Sequence, residues 1–241
     1  MTAPIIITGG AQRLGLAIAE DLLSQNHSVI ITYRSKKPAI EHLIAKGAVC
    51  IQADFADTKG VNGFIERLKT DSELQLLKTG IRAIVHNASD WDQESATTDH
   101  AALFNKMMQV HASAPYQINL ALRELFRHKS GSADIIHMTD FVQERGSQKH
   151  IAYAASKAAL HNLTLSFSAL LAPNVKVNSI APALVMFNDH DSQEYRDKSL
   201  KKSLLEICPG PLEAVKAVNF LLDSDYITGQ TIHLNGGRHL K

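Results

Sequence analysis

The chain has 241 residues, of which 45% are hydrophobic and 20% are charged, so it is long enough to bury a large core. Its 25 Lys and Arg residues balance 24 Asp and Glu residues, and without a basic excess we expect no nucleic acid partner. Cys50 and Cys208 lack a metal-ligand spacing, which argues against structural zinc and fits a reducing compartment. The sequence shows neither a signal peptide pattern nor an apolar run of roughly 18 residues. We therefore expect a cytoplasmic protein without membrane contact.

Short β-branched runs alternate with longer segments of helical periodicity along the chain. The predicted strands cover residues 5–7, 29–31, 49–51, 81–85, 135–136, 175–177 and 231–234. The predicted helices cover residues 14–23, 39–45, 61–68, 103–126, 153–171 and 212–222. This alternation predicts an α/β fold, a Rossmann-type doubly wound parallel sheet of about seven strands with helices on both faces.

No linker, repeat or low-complexity run divides this pattern, so we predict a single domain over residues 1–241. Residues 186–203 are the exception, because polarity rises there and the alternation stops. Ligands of open α/β sheets bind beyond the carboxyl ends of the strands, and this segment follows a strand. We predict that it forms a helical excursion or a lid over the substrate.

A glycine-rich turn, Thr-Gly-Gly-Ala-Gln-Arg-Leu-Gly at residues 8–15, connects the first strand directly to a helix. In that context the free N–H groups of the helix start point at one position, where the helix dipole favours an anion. Gly9 permits the tight turn, and Gly15 allows close packing of helix and strand. The turn predicts a dinucleotide phosphate site.

The second strand runs into Thr-Tyr-Arg-Ser-Lys-Lys at residues 32–37. Folds that bind NADH usually place an acidic residue here to hold the ribose 2′-hydroxyl. Arg34, with Ser35 and Lys36 beside it, suits a 2′-phosphate instead and predicts NADPH over NADH. The alternative is a solvated basic loop.

Tyr153 and Lys157 lie four residues apart at the start of a predicted helix and therefore share one face. A fixed ammonium stabilises a phenolate, so a phenol with an ordinary pKa near ~10 becomes usable as a general acid or base. This spacing also occurs by chance, and by itself it leaves a purely structural role open.

Five motifs together resemble the short-chain dehydrogenase/reductase family over essentially the whole chain. They are the turn at 8–15, Asn-Ala-Ser at 87–89, Tyr-Ala-Ala-Ser-Lys at 153–157, Asn-Ser-Ile-Ala-Pro at 178–182, and Thr228-Gly229 with Asn-Gly-Gly at 235–237. The resemblance implies hydride chemistry with NADPH. It also implies a cofactor site formed by Gly9, Arg13, Leu14, Tyr33, Arg34, Ser35, Asp54, Phe55, Asn87, Ala88, Tyr153, Lys157 and Pro182.

Three positions depart from the usual family pattern: Arg13 replaces a glycine, Asp140 a catalytic serine and His111 an asparagine. The first two are similar to the pteridine reductase subgroup, whose chemistry combines an Asp with the Tyr and Lys. That resemblance implies that Tyr153, Lys157 and Asp140 are catalytic. It further implies a substrate site of Arg13, Ser89, Trp91, Asp140 and Tyr153.

A pterin is a flat ring rich in donors and acceptors, so its site should offer an aromatic plane and polar groups at the ring edge. Trp91, the only tryptophan, would stack on the ring, although packing at the rim is the alternative. By the resemblance, Arg13 would bridge the cofactor phosphate and the pterin, and Ser89 would bond the ring edge. Asp140 would tune Tyr153 and relay a proton to a ring nitrogen as hydride reaches the adjacent carbon.

Further segments, at residues 86–89, 144–147, 149–157 and 236–240, narrow the resemblance to bacterial pterin reductases. It implies NADPH-dependent reduction of 7,8-dihydromonapterin to the tetrahydro form, slower reduction of dihydrofolate, and a homotetramer built through the long helices. His111 either replaces the usual asparagine in the proton relay or is a satisfied buried histidine. Hydride transfer needs no metal, so we expect none at residues 188–191.

Two other functions remain as alternatives. A carbonyl reductase acting on an oxoacyl thioester or a sugar ketone would be expected to carry serine rather than Asp140. A dinucleotide sensor without catalysis would be expected to lose Tyr153 or Lys157, and both are present.

Overall fold

A computed structural model describes residues 2–95, 97–126 and 133–241. Seven parallel strands form one sheet in the order β3-β2-β1-β4-β5-β6-β7. The strands are β1 (Ile5–Ile7), β2 (Val29–Tyr33), β3 (Val49–Gln52), β4 (Ala83–His86), β5 (Ala133–Met138), β6 (Val175–Pro182) and β7 (Thr231–Leu234). The predicted parallel Rossmann-type sheet is therefore confirmed, including its number of strands.

The helices match most of the predicted segments and add two short ones. They are α1 (Arg13–Ser24), α2 (Ala39–Ala45), α3 (Thr58–Thr70), α4 (Leu76–Thr79), α5 (His100–Met108), α6 (Ala114–Leu122), α7 (Ile151–Leu171), α8 (Gln193–Leu200) and α9 (Leu212–Asp223). Short 3₁₀ turns lie at Arg123–Leu125, Phe141–Gln143 and Arg238–Leu240. In the polar segment 186–203, only α8 is helical.

The prediction of one uninterrupted α-helix over 103–126 was wrong. A π-helical turn, Gln109–Ser113, separates α5 from α6. Pro115 follows it and has no N–H to donate to the carbonyl four residues earlier, which favours a local break in the α-helical pattern. This turn places His111 inside the protein.

The sheet is covered on both faces, which explains why its strands are apolar throughout. Ile5 and Ile7 of β1 face a core that includes α1 and α9, whereas Ile6 faces a second core with α3, α6 and α7. The carboxyl ends of the strands are thereby left as the open edge at which loops meet. No helix in the described residues is both long and apolar enough to cross a membrane.

A buried ion cluster lies at the opposite, amino-terminal edge of the sheet. The Asp134 carboxylate, 1% exposed, contacts Arg82 and forms an ion pair with Lys176 Nζ at 2.9 Å. Arg82 also donates to the carbonyl of Leu222 at 2.7 Å, and Lys176 donates to that of Leu221 at 2.9 Å. The two cations thus satisfy carbonyls at the carboxyl end of α9, where the helix dipole favours positive charge.

A second buried network lies between β4, β5 and the helices α6 and α7 that cover one face of the sheet. His86 Nε2 lies 2.7 Å from Asn119 Oδ1, and Asn119 Nδ2 lies 3.2 Å from His137 Nε2. His137 Nδ1 is 2.9 Å from the hydroxyl of Thr164 on α7. Burial lowers the pKa of His86 to about 4 and that of His137 well below its usual value. Both imidazoles are therefore neutral at physiological pH.

Candidate active site

The glycine-rich turn and the loop after β4 are bonded to each other at the open edge of the sheet. The Thr8 hydroxyl accepts from the backbone N–H groups of Asn87 and Ala88, both at 2.9 Å. The Asn87 side chain donates to the carbonyls of Thr8 and Gly9 at 3.1 and 3.0 Å. Gly9 has a φ of 67°, and a Cβ there would lie 2.9 Å from Ala88 Cα. Glycine is required at this position because both the backbone conformation and the space exclude a side chain.

A cleft opens beside this turn and brings together much of the cofactor site that the resemblance implied. Its lining includes Gly9, Tyr33, Arg34, Ser35, Asp54, Phe55, Ala88 and Ser89. Among the other positions of that set, Leu14 packs against the core, Asn87 braces the turn, and Pro182 ends β6. The cleft has the arrangement expected of a dinucleotide groove, with an anion-binding turn at one end and cations from the β2 loop at the other.

Arg13 makes a contact that sequence reasoning did not find. Its backbone has a φ of 52°, the left-handed region that favours the glycine usual at this position. Its guanidinium donates to Asn188 Oδ1 at 2.6 Å and to the carbonyl of Met186 at 3.4 Å. Arg13 therefore connects the glycine-rich turn to the start of the 186–203 segment.

Asp90 is a second residue that sequence reasoning missed. Its Oδ2 accepts from Arg34 and from Lys106, each at 2.8 Å, at the edge of the cleft. Burial raises the pKa of this carboxyl, but Lys106 and Arg34 outweigh the effect and hold the pKa below its ordinary value. The cation that we predicted for a 2′-phosphate is thus paired with an acid. The available signal was an acidic residue directly after Ser89.

The three residues predicted to be catalytic meet at the carboxyl end of β5. Tyr153 Oη donates to Asp140 Oδ2 at 2.9 Å, and the other Asp140 oxygen accepts from the N–H of Val142 at 2.9 Å. Lys157 Nζ donates to the carbonyl of Met138 at 2.8 Å and lies 5.6 Å from the centre of the Tyr153 ring. Residues thirteen positions apart thus share one hydrogen bond because α7 returns to the strand that Asp140 follows.

The electrostatics of this group favour a protonated phenol. Burial and the adjacent Asp140 carboxylate raise the pKa of Tyr153 well above its usual value, although a hydrogen bond with Ser89 opposes this. Burial also raises the pKa of Asp140, and it lowers the pKa of Lys157 to about 8. The Asp140 carboxylate touches the phenol directly, so its charge opposes the phenolate that Lys157 would stabilise. The pair is suited to hold a proton and donate it.

His111 is buried in the π-turn, and both of its ring nitrogens are engaged. Nε2 accepts from the N–H of Asp90 at 3.2 Å and lies 2.9 Å from the Ser89 hydroxyl. An amide N–H can only donate, so the ring proton is on Nδ1, which lies 2.8 Å from Ser156 Oγ. That hydroxyl donates to the Tyr153 carbonyl at 2.7 Å. Burial and the nearby Lys157 keep the pKa of His111 well below its usual value, so the ring is neutral.

Of the predicted substrate residues, Ser89 lines the cleft but Trp91 does not. The Trp91 side chain is 64% exposed, and its ring meets His150 edge-on with 5.2 Å between ring centres. Its stacking on a substrate stays a prediction. Among the described residues, no group of three or more His, Cys, Asp or Glu side chains is placed to hold a metal ion.

Comparison with known proteins decides the family. The profile of a family described as enoyl-(acyl carrier protein) reductase matches residues 9–239. The chain belongs to the short-chain dehydrogenase/reductase family. The order of motifs, the parallel sheet and the Tyr153-Lys157 pair are all consistent with membership of this family.

This short-chain dehydrogenase/reductase is similar to the dihydromonapterin reductases of Citrobacter koseri and Escherichia coli. Each is 51% identical to it over 239 residues, which is 99% of this chain and 97% of the relative. Among solved structures, it is similar to the FolM alternative dihydrofolate reductase 1 from Brucella canis, which was solved in complex with NADP. The TM-score is 0.84 at 28% identity, and the match covers 99% of this chain and 94% of that one.

Proposed function

We propose that this short-chain dehydrogenase/reductase is an NADPH-dependent pterin reductase that converts 7,8-dihydromonapterin to 5,6,7,8-tetrahydromonapterin, with weaker activity on dihydrofolate. The observation that carries the proposal is the contact of Asp140 with Tyr153 at 2.9 Å, at a position where a carbonyl-reducing member would carry serine. The 51% identity to dihydromonapterin reductases over nearly the full length supports the same substrate class.

The residues of the cleft fit NADPH. Gly9 and the start of α1 form the glycine-rich turn at which the phosphates would bind, and Gly9 lies so close to the loop after β4 that a Cβ would be 2.9 Å from Ala88 Cα. Arg34, Ser35 and Lys37 line the end of the cleft where a 2′-phosphate would lie. NADPH supplies the hydride when it is bound. The proposed holding residues are those that the family resemblance implied: Gly9, Arg13, Leu14, Tyr33, Arg34, Ser35, Asp54, Phe55, Asn87, Ala88, Tyr153, Lys157 and Pro182.

The chain's own residues would supply the proton and hold the substrate. As hydride arrives at a ring carbon, the adjacent ring nitrogen gains a proton, and the Tyr153-Asp140 pair is built to deliver it. Lys157 places positive charge beside the pair, which lowers the pKa of the Asp140 carboxyl and so favours release of the proton from the pair. Ser89, already within reach of the phenol, would bond the ring edge, while Arg13 and Trp91 would close over the pterin.

We also propose that one domain over residues 1–241 carries this activity, with residues 186–203 as the substrate lid. The bond of Arg13 to Asn188 supports the lid, because it holds the segment beside the cleft. We propose a homotetramer in which α5 to α7 pair with a second copy, supported by the exposed Tyr116 and Leu165 on these helices. The unpaired Cys50 and Cys208 are consistent with a cytoplasmic location.

The test follows NADPH absorbance with dihydromonapterin, dihydrobiopterin, dihydrofolate and an acetoacetyl thioester in parallel. We expect turnover of the pterins and none of the thioester. Thioester turnover above pterin turnover would establish the carbonyl reductase alternative, and cofactor binding without any turnover would favour the sensor. Trp91→Ala should mainly raise the KM for the pterin, since the indole is proposed to bind rather than to react.

A further inference from the structure

A second cavity, of about 190 Å³, lies between the end of β7, the 186–203 segment and the C-terminal turn. Its charged and polar lining includes Ser199, Lys202, Glu213, His233, Asn235 and Arg238. None of these residues belongs to the site proposed above for the cofactor and the pterin ring. We call this cavity the tail pocket.

Two cations of the tail pocket lack an acidic partner. Within the described ranges, Lys202 and Arg238 form no ion pair with a carboxylate. Their contacts are with aromatic rings, Lys202 over Tyr195 at 6.0 Å and Arg238 over Phe141 at 4.8 Å. Both charges are therefore available to a ligand.

The carboxylate that lines the tail pocket, Glu213, and those that lie near the pocket are already paired with other groups. Their partners are Lys216 for Glu213 at 2.6 Å, His233 for Glu144 at 3.4 Å and Lys241 for Glu206 at 3.3 Å. None of these three carboxylates pairs with Lys202 or Arg238, so the positive charge of these two side chains is not neutralised by them.

Lys202 experiences the excess of positive charge directly. Burial lowers its pKa, and Arg238, Lys198 and Lys149 lower it further by repulsion. Lys202 thus lies within range of positive charges from the loop before α7, from α8 and from the C-terminal turn, and Arg238 lines the tail pocket with it. An anion bound there would relieve the repulsion.

The Ser199 hydroxyl adds an independent observation. Ser199 is 5% exposed and lines the tail pocket, yet its hydroxyl has no hydrogen-bond partner among the residues that the structure describes. A buried hydroxyl without a partner costs free energy, which a ligand that accepts a hydrogen bond would recover.

The tail pocket lies next to the proposed chemistry. Arg238 stacks on Phe141, the residue after Asp140, and its charge reaches the Asp140 carboxylate and opposes the rise of its pKa. A substituent that extends from a pterin ring held at Asp140 towards the C-terminal turn would therefore meet Arg238, and Lys202 lines the same pocket.

We propose that the tail pocket binds the anionic tail of a pterin substrate, namely the glutamate carboxylates of dihydrofolate and of its longer glutamyl forms. This rests on the proposed function. The side chain of dihydromonapterin is neutral and would not engage these charges. In dihydrofolate, the rigid p-aminobenzoyl group separates the glutamate carboxylates from the pterin ring. This separation suits a pocket that lies beside the pterin site rather than within it.

The experiment compares Lys202→Gln with Lys201→Gln, an exposed neighbouring lysine outside the pocket lining. KM and kcat are measured for dihydrofolate, dihydrofolate triglutamate, a dihydropterin phosphate ester and dihydromonapterin, each at low and high salt. We expect the ratio of the KM for dihydrofolate to the KM for dihydromonapterin to rise about 5-fold or more in Lys202→Gln only, and further for the triglutamate. Where dihydrofolate turns over too slowly, its Ki against dihydromonapterin replaces KM.

Equal ratios in the two variants would overturn the inference, and so would a loss confined to the phosphate ester. Failure of the proposed function is a separate result. If no pterin is turned over, calorimetric binding of dihydrofolate to the two variants still tests the tail pocket, with weaker binding expected in Lys202→Gln alone.

Discussion

Tyr153 donates its phenolic hydrogen bond to Asp140 across 2.9 Å, although α7 and the loop after β5 bring the two residues from different elements. The contact changes the chemical role that the Tyr153-Lys157 spacing alone suggests. A carboxylate against the phenol opposes the phenolate and makes the two groups one proton-holding unit.

Removal of either member of this unit should slow the reaction. We expect Tyr153→Phe to lower kcat by ~10²-fold or more, and Asp140→Asn to have an effect of similar size, because an amide cannot pass on a proton. Burial raises the pKa of Asp140, so activity should fall as pH rises through that pKa. The Asp140→Asn variant should lose this dependence. An unchanged kcat in Tyr153→Phe would remove the phenol from the mechanism.

Substitutions of Arg34 and Asp90 should have opposite effects on cofactor affinity. Arg34→Gln removes the cation proposed for the 2′-phosphate, so the Kd for NADPH should rise about 10-fold while that for NADH changes little. Asp90→Asn removes the acid that pairs with Arg34 at 2.8 Å, so NADPH should bind about 2- to 5-fold more tightly. Fluorescence titration measures both constants. Equal changes in the Kd values for NADPH and NADH would show that neither residue contributes to recognition of the 2′-phosphate.

His111 should act by positioning Ser89 and the helix that carries Tyr153. We expect His111→Leu to raise the KM for the pterin about 10-fold, because it leaves the Ser89 hydroxyl and the Asp90 N–H without their acceptor. The shape of the pH-rate profile should not change, since the ring is already neutral. His111→Asn, which retains an acceptor, should recover part of the loss. Disappearance of a titration near neutrality in either variant would instead identify His111 as a proton relay.

The free energy of unfolding should decrease as the pH is lowered from about 6.5, because of the buried His86 imidazole. The pKa of His86 is about 4 in the folded protein, against 6.5 for a free imidazole. Between these two pH values, His86 is protonated in the unfolded chain but stays neutral in the folded one. The free energy of unfolding should therefore fall as pH drops from 6.5 towards 4, with roughly 3 kcal/mol due to this group. Urea titrations at several pH values measure the slope. It should be shallower in His86→Gln but not in the surface control His190→Gln, and a flat wild-type profile would contradict the assignment.

The Asp134 cluster should contribute to stability without contributing to turnover. Asp134→Asn leaves Arg82 and Lys176 without their buried counter-charge, which should cost about 3–5 kcal/mol in the free energy of unfolding. kcat should remain at the wild-type value at temperatures where the variant is folded. The exposed pair of Lys216 and Glu213 provides a control, because Glu213→Gln should cost less than about 1 kcal/mol. Equal losses in the free energy of unfolding for Asp134→Asn and Glu213→Gln would show that the buried cluster stabilises the fold no more than the exposed pair does.

Sequence reasoning was most successful where local chemistry is decisive. Apolar runs such as 5–7 gave the strands their positions, and Gly9 marked the turn because no other residue tolerates its backbone and space. The meeting of Tyr153 with Asp140 was also predictable, but only through the family resemblance. The π-turn at Gln109–Ser113 was not, since a π-turn and an α-helix bury nearly the same residues.

The partners of the charged residues were the least predictable part of the site. The sequence shows an acidic residue after Ser89, but it does not indicate that this Asp90 meets Arg34 fifty-six positions away. It also does not indicate that Arg13 reaches Asn188. Such contacts depend on how loops from different strands fold over the cleft, and loops carry no periodicity from which their course can be inferred.

The single guanidinium of Arg13 has two sets of possible partners, which compete for it. It is now committed to Asn188 and Met186, whereas the proposed reaction needs it for a phosphate and a pterin. A nucleotide that drew this arginine into the turn would break its bonds to Asn188 and Met186 and so free the segment that we propose as the lid. The pterin could then enter only after the nucleotide has bound. The side chain of Arg13 would thereby impose an ordered mechanism, with the nucleotide first and the pterin second.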